Sequence, residues 1–326
     1  MFKPFTLQAY FGIAAVLAVM LALPVLSSDP YLMHVMVLAM IFGIFASAWN
    51  LVAGFAGLKT FGHHAFFGLG AYGSALLSIH MGLSPWITLW LGGLIAAAAG
   101  LLIGTPILRI RSMPHVAIVT LGFAEIVRIC IANFSDLTRG EMGLWGIPQF
   151  NGFSLPLVGN VAFGPADKVS FYYLALALSV LMLIIITHMM RSKTGLAMLA
   201  MRDSEDAAES LGVNLTQMKL MVFGLSAFIV GVAGAFYAHY LSILTPNSVV
   251  GIDLMISIIA MVLVGGLGTV SGPLVGALVL TVLIEAMRDI ESYRMLGYGL
   301  LIVVIVMYLP RGLVTIRERL FPRPQE

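Results

Sequence analysis

Long apolar runs broken by short polar segments dominate this chain. A helix that crosses hydrocarbon needs about 20 mostly apolar residues, at about 1.5 Å of rise per residue. Runs that meet or nearly meet that length fall at 7–26, 31–53, 64–81, 86–108, 114–132, 169–189, 220–244, 253–269, 272–288 and 295–309. The pattern predicts about ten transmembrane helices. Turn chemistry separates them, at Ser27-Ser28-Asp29-Pro30, Ser84-Pro85, Met113-Pro114 and Gly272-Pro273. The runs at 64–81, 253–269 and 272–288 are short or glycine-rich, and read either as full spans or as re-entrant or broken helices. No stretch reads as a separate soluble domain. The fold class is all-α and polytopic, one transmembrane domain over 1–326, with an outer loop at about 133–168 and an inner loop at about 190–219.

Composition supports lipid as the solvent. Of 326 residues 60% are hydrophobic and 10% charged, against roughly 25% charged in a soluble domain. The net charge of +2 suggests no nucleic-acid surface. A single cysteine, Cys130, excludes an internal disulfide, and nothing near it suggests a metal site. The 34 glycines and 20 methionines suit closely packed membrane helices.

Orientation follows from the 17 Lys and Arg. With the N-terminus in the cytoplasm, twelve fall in inner loops. Four (Arg139, Lys168, Arg288, Arg294) fall in outer loops, and Arg128 lies within a run. This bias puts both termini in the cytoplasm. The run at 7–26 follows a single lysine and could be a cleaved signal peptide, but it exceeds the roughly 7–15 apolar residues of a signal core. The short basic tail after Pro310 is consistent with an anchor to the inner leaflet.

The inner loop, the most polar stretch, suggests two short helices. Thr194 can cap one running through Ala200, and Asp203 or Ser204 can cap a second. Glu205 and Asp206 sit in that second helix's first turn, where the helix dipole favours anions. Gly212 supplies a left-handed stop. Such a segment suits either docking in a partner's groove or a solvated linker.

Ionisable groups within apolar runs are costly. Glu125 and Arg128, three apart, share a helix face and can neutralise each other. They line a path, or form a structural pair against a neighbouring helix. Glu285 and Arg288 repeat the spacing, with a structural interface as the expected role. His63 and His64 point in different directions on a helix, so a shared metal is not expected; a cap or polar packing contact is. His239 reads as a satisfied packing histidine, and Asp253 as a helix start with a capping role. Gly57-Leu58-Lys59-Thr60 echoes Gly266-Leu267-Gly268-Thr269, a short match of the kind a glycine-rich chain produces by coincidence. There is no Gly-x-x-x-x-Gly-Lys-Ser/Thr loop, His-Glu-x-x-His or Gly-x-Ser-x-Gly. The chain therefore shows neither a nucleotide-binding nor a hydrolytic motif.

The stretch from Thr194 to Lys219 resembles the cytoplasmic loop of the LivM-type permeases of branched-chain amino acid ABC transporters. Three further segments are similar in order: Gly57 to Tyr72, Ala117 to Arg128, and Val264 to Ala277. The resemblance covers roughly 35 to 313 and ends at Leu309-Pro-Arg-Gly-Leu313. It departs at Lys59-Thr60-Phe61, where family members usually carry more polar residues. It implies a permease subunit of an importer in the bacterial inner membrane, paired with a second, homologous permease. A periplasmic binding protein delivers the amino acid, and two cytoplasmic ATPase subunits supply the energy. This chain itself binds no cofactor, and ATP and Mg belong to the partner subunits. Arg202, Asp203, Glu205, Ala207, Ala208, Glu209 and Gly212 match the family's coupling segment. The glycine-rich breaks holding Gly57, Gly62, Gly266 and Gly268, with Glu125 and Arg128, are the expected path residues. Permeases for urea, amides or sugars share the implied architecture. An ion-coupled secondary transporter would instead need intramembrane carboxylates, for which only Glu125 and Glu285 qualify.

Overall fold

The computed structural model describes residues 7–287, except positions 28, 108, 109, 111, 112, 156–158, 165 and 166, together with single positions between 297 and 313. The run expected at 295–309, as a continuous segment, lies outside the described residues, as do Arg288, Arg294 and the basic tail.

The chain is built of helices. They are α1 (Leu7–Leu26), α2 (Pro30–Asn50), α3 (His63–Met81), α4 (Pro85–Ile107), α5 (Met113–Asn133), α6 (Ser135–Thr138) and α7 (Lys168–Arg191). They continue as α8 (Lys193–Asp203), α9 (Glu205–Ser210), α10 (Leu215–Leu241), α11 (Pro246–Val250), α12 (Ile252–Gly265) and α13 (Gly272–Ala286). A π-helical turn, Leu51–Phe55, prolongs α2, and a 3-10 turn covers Gly140–Met142. Two small antiparallel ribbons lie between helices. β1 (Leu144–Trp145) pairs with β4 (Ile243–Leu244), and β2 (Phe153–Leu155) with β3 (Gly159–Val161).

Six segments among the described residues are long and apolar enough to cross a membrane: Pro30–Phe55, Pro85–Ile107, Pro114–Asn133, Lys168–Arg191, Leu215–Leu241 and Pro246–Gly265. The expected count of about ten is therefore not reached on length and hydropathy alone. α3 is a continuous 19-residue helix, but it is packed between α4 and α10 and carries buried His63, His64, Ser74 and Ser78. A helix enclosed by protein has no need of a lipid-like surface. α13 has 15 residues, roughly 22 Å, short of the ~30 Å hydrocarbon layer. The span ending at Gly265 is broken at Gly251, whose ψ of 144° separates α11 from α12. Asp253 sits in the first turn of α12 and does not cap it; Gly251 holds that place. Asp29 caps α2 instead, accepting from the Tyr31 amide at 3.0 Å.

α3, α4 and α10 pack mutually, and α2 joins this group to α7, α12 and α13. The approach of α3 to α10 is close enough that only hydrogen fits. A Cβ on Gly70 would lie 2.2 Å from the Gly231 carbonyl oxygen, and one on Gly234 2.0 Å from that of Phe67. Small residues allow backbones to meet in this way in membrane bundles.

Gly234→Val should lower the stability of the purified chain by about 1–3 kcal/mol or more, because the obstructing atom is backbone. Gly122→Ala, whose added Cβ meets nothing within 4 Å, is the matched control. Equal melting temperatures for both variants would refute the close-packing account.

Candidate functional site

Two polar centres stand out against the apolar bundle. The first is at the α8–α9 end. Asn50, only 1% exposed, closes α2. Its amide nitrogen donates to the Thr269 carbonyl at 2.8 Å, and its oxygen accepts from the Gly268 amide at 2.8 Å. Beside it, the Trp49 indole N–H donates to the Thr60 carbonyl at 2.8 Å. A Cβ at Gly54 would fall 2.1 Å from the Asn50 side-chain oxygen, so glycine there lets the amide fold back.

The two echoing tetrapeptides thus occupy equivalent places. Each follows a helix and precedes another, and each begins on a glycine at positive φ, 76° at Gly57 and 127° at Gly266. Each delivers its threonine carbonyl to the end of α2. The shared geometry makes the match more than coincidence of composition.

Arg202 enters the same junction from α8. Its Nη1 donates to the Gly54 carbonyl at 3.3 Å, while Nε and Nη2 donate to Asp203 at 3.2 and 3.1 Å. A Cβ on Gly57 would sit 2.9 Å from Arg202 Cγ, and one on Gly268 3.6 Å from its Nη1. The structure therefore brings Arg202 together with Gly57 and Gly268, which sequence reading placed in separate groups. Gly62 lies elsewhere: a Cβ there would meet the Thr120 carbonyl oxygen at 2.1 Å, which makes it a contact with α5. Gly266, buried, bonds its amide to the Val262 carbonyl and ends α12.

The α8–α9 segment departs from expectation at the first cap and meets it at the second. Thr194 does not cap α8, which starts at Lys193 after Ser192. Asp203 is the last residue of α8, and Ser204 caps α9 by accepting from the Ala207 amide at 3.3 Å. Gly212 takes φ 86° just beyond α9, the expected left-handed stop. Ala208 is buried, while Ala207 and Glu209 face outward. Glu205 pairs with Lys219 of α10 at 2.7 Å, and the lysine side chain is only 7% exposed. A buried pair broken on one side leaves an uncompensated charge, so this contact fixes α9 to α10.

The second centre is on α5. Arg128 donates to Glu125 from Nε at 3.0 Å and from Nη2 at 2.5 Å. Its Nη1 points to Asn247 of α11 at 3.4 Å and to Glu141 at 3.7 Å. The expected pair is present, and its further partners are Asn247 of α11, at the start of the Pro246–Gly265 segment, and Glu141 of the 3-10 turn; the Glu125 side chain is half exposed. Glu285 accepts from the Tyr31 hydroxyl.

The histidines are packing groups. His63 bridges Thr60 at 2.9 Å and Ser226 at 3.0 Å. His239 Nδ1 donates to the Pro148 carbonyl at 2.7 Å, and its Nε2 meets Ser74 and Thr88 at 2.8 and 3.1 Å. That anchors the loop before β2 to the bundle. Two buried polar atoms have no hydrogen-bond partner among the described residues on this face of α3: His64 Nδ1 and the Tyr72 hydroxyl. An unsatisfied buried group costs about 1–3 kcal/mol. Sequence reading missed Asn50, Trp49, Glu141 and Asn247. Only a buried amide closing an apolar run could have marked Asn50.

A model of the family described as branched-chain amino acid transport system / permease component matches residues 31–309. The chain is 38% identical over 292 residues to the high-affinity branched-chain amino acid transport system permease protein LivM of Salmonella typhimurium, covering 85% of this chain and 68% of the relative. It is 24% identical over 287 residues to the LivH permease of the same organism, covering 84% and 91%. A shorter similarity, 34% over 117 residues, links it to the ribose import permease protein RbsC of Haemophilus influenzae, covering 33% and 36%. No solved structure matches significantly.

Asn50→Ala should cost about 2–4 kcal/mol, because it removes two hydrogen bonds and leaves a backbone donor and acceptor unsatisfied. Thermal unfolding of the detergent-purified chain measures this, and an unchanged transition would discount the clamp.

Proposed function

The chain belongs to the branched-chain amino acid transport permease family, and from that premise we propose that it passes branched-chain or other hydrophobic amino acids into the bacterial cytoplasm as one subunit of a binding-protein-dependent ABC importer. It is a multi-pass membrane transport component and not itself an enzyme. On this reading it sits in the inner membrane with both termini in the cytoplasm. A second, homologous permease completes the path, a periplasmic binding protein delivers the substrate, and two ATPase subunits hold the ATP and Mg. The carrying observation is the 38% identity that runs through 85% of the chain to a LivM permease. The sugar alternative rests on a match to a third of the chain.

The α8–α9 segment is the coupling element in this proposal. Three features support it. Leu196 and Leu211 are 64% and 82% exposed on a polar segment, as docking residues would be. The Glu205–Lys219 pair ties α9 to α10, which spans 27 residues. Arg202 touches the junction where both glycine-rich breaks meet the end of α2. A push on α8 would therefore reach the end of the α2 span and the break after the α12 span through one side chain.

Co-purification of the tagged chain in mild detergent should recover a second permease and two ATPases. Uptake driven by an ion gradient in liposomes holding this chain alone, without ATP, would overturn the importer reading. In the reconstituted complex, Arg202→Ala should reduce ATP-driven leucine uptake about tenfold or more while ATP hydrolysis continues. Unchanged uptake per ATP would remove Arg202 from the coupling route.

A further inference from the structure

Glu125 and Arg128 lie 12 and 15 residues beyond the start of α5 at Met113, roughly 18 and 22 Å along its axis. With α5 spanning a hydrocarbon layer about 30 Å thick, both lie within it, Arg128 about 8 Å from the helix end at Asn133. Their own chain does not enclose them: the side chains are 51% and 26% exposed. Ionised groups at this depth face a protein interior or a water-filled cavity rather than lipid. The face of α5 that carries them therefore opens to such a space in the assembled protein.

The charges there do not balance. Arg128 is the one cation in contact with two carboxylates, Glu125 at 2.5 Å and Glu141 at 3.7 Å. Glu125 occupies Nε and Nη2, whereas Nη1 reaches only the long contacts with Asn247 and Glu141. The cluster keeps a spare guanidinium edge and a spare carboxylate a few ångströms apart. An amino-acid zwitterion carries the complementary pair. A neutral sugar or amide carries no charge to use either group.

α3 lines the cluster with further unmatched polarity. His64 and Tyr72 stand on one face of that helix, at i and i+8. His64 Nδ1 and the Tyr72 hydroxyl are buried without hydrogen-bond partners among the described residues. Glu125 is a charge neighbour of His64, and Glu141 of Tyr72. Between them a Cβ on Gly68 would meet Val250 of α11 at 2.1 Å, so the C-terminal end of α11 packs against this face.

We propose that Glu125, Arg128, Glu141 and Asn247 form a station for the amino-acid zwitterion inside the membrane layer, with Arg128 taking the carboxylate and the two glutamates the ammonium. The assignment rests on the amino-acid importer reading. Arg128 Nη1 and the Asn247 amide present donors to the carboxylate, and Glu125 holds the guanidinium flat for a two-pronged contact. The ammonium then sits between Glu125 and Glu141.

ATP-driven uptake of radiolabelled leucine by the complete complex in proteoliposomes tests this. Complex recovery and binding-protein-stimulated ATP hydrolysis are measured alongside. Arg128→Gln should reduce uptake at least tenfold with ATP hydrolysis retained. Glu141→Gln, in an exposed turn that tolerates substitution, should raise the leucine KM several-fold. The double exchange Glu125→Arg with Arg128→Glu preserves an ion pair on α5 but reverses its direction. It should restore assembly and leave uptake low. Full uptake by the double exchange would show a purely structural pair and overturn the station. So would a leucine KM unchanged in Glu141→Gln. Failure of the wild-type complex to take up any amino acid would instead overturn the importer reading, and the station with it.

Discussion

At the α8–α9 end of the bundle, one buried amide holds two breaks in the helical backbone against each other. Backbone N–H and C=O groups left open by a break must find partners, because the surrounding apolar side chains offer none. Asn50 supplies both a donor and an acceptor, and satisfies Thr269 O and Gly268 N with one side chain. Trp49 does the same for Thr60 with one donor. The π-helical turn that follows carries Gly54 under the amide, and that turn also offers the carbonyl that Arg202 reaches. The position of α13, the start of α3 and the seat of α8 all follow from this arrangement.

Much of this was legible in the chain itself. The apolar runs located the ends of α1 to α5, α7, α10, α12 and α13 to within a few residues, because turn chemistry punctuates them. The cap and stop of α9 were also readable, since Ser204 and Gly212 act locally. The start of α12 was placed within a residue, but the short α11 before it was not read, because five residues are too few to show a helical period. Length and hydropathy confirm six spans among the described residues, fewer than the ten runs read, because that scale cannot tell a helix facing lipid from one facing protein. α3 shows the reverse case: its buried histidines and serines lower its hydropathy, yet it is among the most enclosed helices.

Candidate residues divided along the same line. Arg202, Gly57 and Gly268 were each selected, but their convergence depends on contacts across 66 positions or more, and no local pattern carries that. The Glu125–Arg128 pair follows directly from i, i+3 spacing on a helix. Its second ring of partners, Asn247 and Glu141, comes from other elements and left no local signal. Gly62, chosen for its place in a glycine-rich break, lies against the Thr120 backbone of α5. Glycine density marks close backbone approach, and only the fold distinguishes an approach that packs from one that opens.

α3 is the element common to both polar centres. It begins at His63, one residue beyond the break that Arg202 touches at Gly57 and Trp49 holds at Thr60. Its buried His64 and Tyr72 stand on the side packed toward α5. Along its other face the Gly70 and Gly234 contacts bring its backbone against α10 with no side chain between. Such contacts leave little room for α3 to bend or rotate independently of α10, to which the Glu205–Lys219 pair also ties α9. If α8–α9 is the coupling segment proposed above, two packed routes lead from it toward the α3 face beside α5, one through Arg202 and the turn after α2, the other through Lys219 and α10.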